Sequence, residues 1–599
     1  MPPLRMPLRL SWAGWLAFGA FAVLLLALGL GWRDPWPADE PRFALNAIEM
    51  LVTGDFWIPH RGGELYADKP PIFMWASALG IWLTGSMRIG FLLPSLLAGL
   101  GTLALIVDLS RRLYGQRIGL LAGLATLATL QFVLQAKTAQ IDMLLTFFTT
   151  LGAYGLLRHA LLGPSRWWWR AGFAAMGAGI LTKGVGFLPL ALLPAWWWLG
   201  RGGVSGNRGP GRLTPLRLRD LREGLGCLLA VVLAWGLPMI LITSLSDDPS
   251  LAAYRDNILF KQTGERYADS WAHLRPWYYY IAQVLPWAWM PLVLTFPWAF
   301  PNWWRRIRRG DARSLLPVSA VVLIVIFFSL SPGKRGVYML PTLPLMVLAL
   351  APLLPALARR IGPNRTGFGA VILLGGLLGL AGLLGLCDVA PLERLAHRYG
   401  ITPWWEWLAL GGLALGLALV VKPRRGLVAV TLFLWCLWGW WSTLGYSWMD
   451  PERSPRDMMA RVAQQVGPIG EVALLNFDEE ILLHARTPSV HFGDMTPIEE
   501  ELPAAMAWLA KAPSRRWMLV VDKDLEDIDC GELGQGFDLG HQNRHDWLLL
   551  PGIAFAGCHQ DRGEAPIYLA PTSVPGSGAW RYFTETQPVP GEVAGVTHR

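Results

Sequence analysis

The chain has 599 residues, 53% of them hydrophobic, with 33 tryptophans and a formal net charge of +9. So apolar a composition excludes an ordinary soluble protein, in which apolar residues reach about half only with glycine counted, and it points to a membrane protein. The basic residues fall in short clusters between apolar runs instead of forming one stripe, which is how topology signals look; no nucleic-acid partner is expected.

The first apolar run, 10–32, follows Arg5 and Arg9. It is longer than a signal-peptide core and lacks a small-residue cleavage site, so a retained helix is predicted. Further runs long enough to cross a bilayer occupy 89–109, 118–136, 142–161, 167–182, 185–200, 224–245, 277–300, 315–331, 337–357, 367–386, 404–421 and 426–446, making about thirteen spans. The fifth and sixth are separated only by Thr182, Lys183 and Gly184, which allows a tight hairpin or one broken helix. Arginine clusters fall on alternate connections: Arg111/Arg112/Arg117, Arg158/Arg166/Arg170, the 201–222 segment, Arg305–Arg309, Arg359/Arg360 and Lys422–Arg425. Together with Arg5 and Arg9 they predict a cytoplasmic N-terminus and an outer, periplasmic C-terminus in a bacterial inner membrane.

Two outer connections, 33–88 and 246–276, are long and mix acids, cations, histidine and aromatics, which suggests a site. Residues 1–448 therefore read as the membrane domain. From 449 the chain reads as soluble: VALLNF, SVHFG and RWMLVVD as short buried strands, MMARVAQQV and EEELPAAMAWLAKA as amphipathic helices. An α/β domain over 449–571 and a Gly/Pro-rich disordered tail over 572–599 are predicted. Five cysteines show no CxxC spacing, so no metal ribbon is expected. Cys530 and Cys558 are the only two in the outer domain, where an oxidising compartment permits a bridge between them. The absence of a sequence repeat disfavours a transporter built from repeats.

The first outer loop opens with ADEPRFALNAIEML. Phe43, Ala47, Ile48 and Leu51 share one helical face, and Arg42, Asn46 and Glu49 the other, so a helix lying along the membrane surface is predicted. Asp39 and Glu40 precede Pro41, a spacing that predicts helix capping, although a helix start also fixes a carboxylate in space. Lys69, before Pro70-Pro71, begins a second surface helix running to about Thr84; it reads equally as a snorkelling lysine or as a phosphate-binding cation. Asp142, in AKTAQIDMLLTFF, is a lone acid at the outer end of the fourth span, a costly place for a charge without a function. Lys183 follows at an outer turn. GERYADSWAHLRPWYYY adds Glu265, Arg266, His273 and Arg275, and SPGKRGVYMLP adds Lys334, Arg335 and Tyr338.

This ordered set, DEPRF, the ML-x-x-GD-x-W-x-P run, YADKPP, the AKTAQIDM acid, LTKG, RPWYYY and SPGKRGVYMLP, resembles the GT-C glycosyltransferases that use polyprenyl-phosphate sugars. Within them it is similar to the aminoarabinose–lipid A transferases and the bacterial protein O-mannosyltransferase-like enzymes, over about residues 33–345. The resemblance implies sugar transfer from undecaprenyl phosphate to lipid A, another glycan or a protein at the outer membrane face. It also implies Asp39 and Asp142 as the catalytic acids. Lys69 would lie near the donor phosphate, and Lys334, Arg335 and Tyr338 would contact it. Glu40, Arg42, Tyr66, Lys183, Arg266 and His273 complete the expected substrate-binding set. Ala67-Asp68 stands where the family often has Phe-Glu, and Gln262-Thr263 where it often has Glu-Asn or Glu-His; these departures leave the donor sugar and a divalent metal open. A lipid or glycan transporter would instead carry mid-membrane charges on broken helices, and an O-antigen ligase-type transferase would use diphosphate-linked donors.

Overall fold

The computed structural model describes residues 11–201, 213–265, 273–525, 536–555, 558 and 565–583. Among these residues, seven helices are long and apolar enough to cross a membrane, or eight if the pair Gln116–Ala128 and Leu130–Ala136, bent by 74°, is one span. The other runs predicted as spans form helices that are shorter, broken or interrupted by charge. Trp12–Ala27 has 16 residues, and Ile141–Leu162 carries Asp142, Arg158 and His159. The run at 277–300 breaks around Pro286 and Pro291 into Tyr280–Val284, Leu285–Ala288, Leu292–Thr295 and Phe296–Arg308, because proline removes a backbone donor and crowds the preceding turn. Between the fifth and sixth runs the chain makes a tight turn: Gly184 ends helix Arg166–Lys183 in the left-handed region at φ 79°. Gly186 then lies so close to that helix that a Cβ would meet the Ile180 nitrogen at 2.2 Å.

After the first helix come Glu40–Thr53, a small hairpin of β1 (His60–Arg61) and β2 (Glu64–Leu65), and helix Ile72–Thr84. Both helices were predicted. The first, however, is not simply amphipathic at a surface, for Glu40 through Met50 are almost all buried except Arg42. The C-terminal domain covers its polar face.

That domain holds a six-stranded mixed sheet in the order β6-β7-β5-β3-β4-β8. Strands β3 (Glu471–Leu474), β4 (Ser489–His491) and β5 (Arg516–Val521) are parallel to one another; β6 (Phe537–Gln542), β7 (His545–Pro551) and β8 (Tyr568–Leu569) are antiparallel to their neighbours. The three parallel strands and the helices Arg456–Val466 and Ile498–Ala510 match the sequence expectation. β6 had no comparable signal, since Gly540 and the flanking polar residues interrupt the alternation, and β7, with its apolar run Trp547–Leu550, was not among the predicted strands. The expected disordered tail is corrected for its first part: residues 572–583 are folded, with Ser573, Ala579 and Tyr582 buried and Ser573 Oγ accepting from the Ser489 N–H at 2.9 Å. Cys558 is disulfide-bonded, and Cys227, Cys387 and Cys436 are free thiols; the expected partner, Cys530, lies outside the described residues. One hydrophobic core runs without interruption from Leu45 and Phe73 of the first loop to Val472, Leu474 and Leu519 of the sheet. The soluble domain is thus packed onto the first outer loop of the membrane domain.

Candidate active site

A cavity of about 610 Å³ lies between the first-loop helices, the starts of Ile141–Leu162 and Gly336–Leu357, and the apolar helices Leu218–Leu245 and Ala312–Leu330. Its polar side is lined by Asp39, Arg42, Tyr66, Asp68, Lys69, Gln140, Asp142, Lys183, His273, Arg335 and Tyr338; Val232, Trp235, Met239, Phe327 and Phe328 from the two apolar helices line the other. Nine of the residues singled out in the sequence therefore converge, although they span positions 39 to 338.

Asp39 occupies the N-cap position of helix Glu40–Thr53 but makes no capping hydrogen bond. The capping expectation is thereby overturned. Pro41 and the pairing of Glu40 set the helix start instead, and the Asp39 carboxylate turns into the cavity. Its Oδ2 accepts from Gln140 Nε2 at 2.8 Å and from Arg335 Nη2 at 3.1 Å, while Oδ1 lies 4.0 Å from Arg42 Nη1. Asp142 pairs with Lys183 Nζ at 2.5 Å, and that ammonium lies 4.7 Å from the centre of the Tyr338 ring. The Lys183 turn is what brings an ammonium into direct contact with Asp142. Burial works against the charge of Arg335, yet Asp39 and Asp142 hold its pKa above the ordinary value.

Arg42 is also held from outside the membrane domain. Its Nε donates to Glu479 Oε1 at 2.6 Å. Burial opposes its charge, but Glu479 beside it keeps the guanidinium above its ordinary pKa. Tyr66 is buried, and burial together with Asp68 pushes its hydroxyl up, so it stays protonated. Lys69 Nζ donates to the Asp68 carbonyl at 2.7 Å.

Three expected site residues stand differently. Glu40 faces away from the main cavity: its carboxylate pairs with Arg33 and accepts from the Trp36 and Ala139 N–H groups at 2.9 and 2.8 Å. It positions the first loop against the turn before Asp142 and is not placed to touch substrate. Lys334 is only 4% exposed and donates to the carbonyls of Ser331 and Arg275 at 2.5 and 2.9 Å. A lysine that far inside satisfies backbone acceptors that water cannot reach, so it stiffens the SPGKRG turn and leaves the cavity to Arg335. Arg266 lies outside the described residues. Sequence reasoning missed Gln140, which stands two residues before Asp142 in the same motif. It also missed Glu479, one of three consecutive acids at 478–480 that directly follow the VALLNF strand.

A divalent cation here would take Asp39 and Asp142 as its acidic ligands. Each already faces a cation, so this donor set does not fit one without displacing Arg335 or Lys183. The arrangement suits an anionic group instead: Lys69, Arg335 and Arg42 surround the polar end, and apolar helices continue from it.

Residues 68–200 match the family model described as dolichyl-phosphate-mannose-protein mannosyltransferase. An undecaprenyl phosphate-alpha-4-amino-4-deoxy-L-arabinose arabinosyl transferase from Pseudomonas fluorescens is 32% identical over 380 residues, which cover 60% of this chain and 64% of that protein. The chain thus spans slightly under two thirds of that relative. A Pseudomonas aeruginosa transferase of the same name is 30% identical over 441 residues, covering 69% of this chain and 74% of that protein. In fold, the chain is similar to ArnT from Cupriavidus metallidurans bound to undecaprenyl phosphate, with a TM-score of 0.69 at 20% identity over 90% of this chain and 98% of that one. Sequence similarity at 30% identity across about three quarters of the Pseudomonas aeruginosa enzyme shows that the chain belongs to the family of the undecaprenyl phosphate-aminoarabinose arabinosyl transferases, glycosyltransferases of the GT-C type.

Proposed function

We propose that this enzyme transfers a monosaccharide, in the first instance 4-amino-4-deoxy-L-arabinose, from undecaprenyl phosphate to a phosphate of lipid A at the periplasmic face of the inner membrane. The observation that carries this reading is the cavity itself: a cluster of cations at one end and walls from two apolar helices at the other suit a phosphate on a polyprenyl chain. The names of the relatives support the donor and its sugar.

In the reaction the bond between the anomeric carbon and the donor phosphate oxygen breaks as an acceptor oxygen bonds to that carbon. The lipid phosphate leaves with the electron pair, and Lys69 and Arg335 offset the charge it gains. A hydroxyl acceptor would require Asp39 to take a proton. Its Oδ2 already accepts from both Gln140 and Arg335. That fits a carboxylate that orients the site and balances its cations, and it favours an acceptor already ionised at neutral pH, as a phosphate is.

Mass spectrometry of lipid A from cells with and without the gene tests the reading. The expected result is a pentosyl-amine mass increment present only with the gene, lost in Lys69→Ala and retained in part by Asp39→Asn. An increment on exported proteins or another glycan, with lipid A unchanged, would assign a different acceptor. Full transfer by both variants would remove Asp39 and Lys69 from the centre.

A further inference from the structure

The C-terminal domain reaches the centre through Glu479. Glu479, at the start of the short helix Glu479–Leu483, has a side chain only 9% exposed. Its Oε1 accepts from Arg42 Nε at 2.6 Å and from Arg61 Nη1 at 3.0 Å. Arg61 is itself anchored on Asp494 Oδ2 at 2.7 Å and lies over the rings of Phe477 and Tyr66. Glu479 is thus clamped from one side by a buried arginine and grips a cavity-lining arginine on the other. Arg42 is shared between two carboxylates 440 positions apart in the chain, since its Nη1 stands 4.0 Å from Asp39 Oδ1. A guanidinium is a planar fork, so committing Nε to Glu479 sets the direction in which the terminal nitrogens point.

We infer that Glu479 is a positioning residue for transfer: it holds Arg42 beside Asp39 without letting the two collapse into a direct pair, so that Asp39 keeps its orientation on Gln140 and Arg335 and the cavity keeps room for the sugar. Removing the charge of Glu479 releases Arg42 Nε, and the guanidinium, whose Nη1 already stands 4.0 Å from Asp39 Oδ1, swings onto that carboxylate. The C-terminal domain is therefore part of the catalytic apparatus and not only a cover. This role rests on the transferase reading above.

The test uses purified full-length protein, undecaprenyl-phosphate-linked aminoarabinose and lipid A. Glu479→Gln is expected to lower kcat about tenfold, with the donor KM changed by less than about twofold, because the displaced group acts on the transition state. Glu479→Asp, which keeps the charge at shorter reach, is expected to lose only about threefold. Asp494→Asn weakens the same domain contact through Arg61 but does not touch Arg42, and it should keep kcat within about twofold of wild type. Unchanged kcat in Glu479→Gln overturns the inference, as does an equal loss in Asp494→Asn, which would make Glu479 a docking residue only. If Glu479→Gln is not recovered from the membrane, the contrast between Glu479→Asp and Asp494→Asn decides in the same way. A wild-type enzyme that transfers nothing to lipid A would instead overturn the proposed function, which this comparison separates from a failed role for Glu479.

Discussion

Asp142 and Lys183 form a cavity-lining pair whose side chains are 6% and 11% exposed. Removing one partner of so buried a pair strands the other charge, at a cost of about 3–5 kcal/mol, whereas removing both is often close to neutral. Asp142→Asn and Lys183→Met should each lower the thermal unfolding temperature of the detergent-solubilised protein, and the double variant should be more stable than either single one. All three should lose transfer by about 100-fold or more, since Lys183 and Asp142 shape the electrostatics where the donor sits. A double variant that is destabilised by the sum of the singles would show that the two do not act as a pair. Lys334 offers the contrary case. With its ammonium on the carbonyls of Ser331 and Arg275, Lys334→Met should act mainly on stability, while Arg335→Ala should act on donor binding, read as the ratio of the two KM values.

Among the elements, the β1–β2 hairpin decides how the two domains meet. Gly62, at its tip, has φ 64°, and a Cβ there would meet His491 Nε2 at 2.7 Å and Leu482 Cδ1 at 2.9 Å. The Gly62 carbonyl lies 2.8 Å from His491 Nε2, and the Gly62 N–H donates to Glu49 Oε1 at 2.6 Å. Gly62→Ala should therefore destabilise the protein by about 2 kcal/mol from the left-handed backbone alone, with the clash in addition. The same contact gives the stability a pH dependence with two opposing limbs. Burial pushes Glu49 up to about 7, against the hydrogen bonds from Gly62 and Gly63. A carboxyl raised in this way contributes stability that is whole below its ordinary value of 4.5 and is lost as the pH rises through about 7. Burial pushes His491 down to about 4. Its contribution is whole above 6.5 and is lost as the pH falls through about 4. Thermal unfolding measured from pH 4 to 9 should show both limbs, and Glu49→Gln should flatten the one at higher pH. An unchanged alkaline limb in that variant would mean Glu49 is ionised throughout.

At the scale of the whole molecule, the C-terminal domain and the first outer loop share one core. Truncation after residue 448 would remove Glu479 and His491 from helix Glu40–Thr53 and its hairpin and divide the shared core, so the truncated protein should accumulate poorly in the membrane and show no transfer. The proposed orientation is tested by reporter fusions: one after about residue 455 should be active only when exported, and one near Gly206 should report cytoplasm. A cytoplasmic C-terminus would place every site residue on the wrong side. Membrane class, the positions of the apolar runs, the first-loop helices and the three parallel strands were legible in the sequence, because hydropathy, length and periodicity are local properties that hold wherever the segment packs. The ordered loop motifs likewise singled out nine of the cavity's residues, since each motif keeps its acids and cations close in sequence. What each side chain does there was decided only by the tertiary structure. Asp39 looked like a cap until Gln140 and Arg335, 101 and 296 positions away, were found to hold it. Glu40 and Lys334 looked like ligands until burial turned them onto Arg33 and backbone carbonyls. The polar face of helix Glu40–Thr53 looked solvated until Glu479 and His491 closed over it and its hairpin. A carboxylate or ammonium is chemically the same in each of these settings, and its partners, which determine whether it caps, positions or binds, are supplied by chain segments that local sequence does not connect.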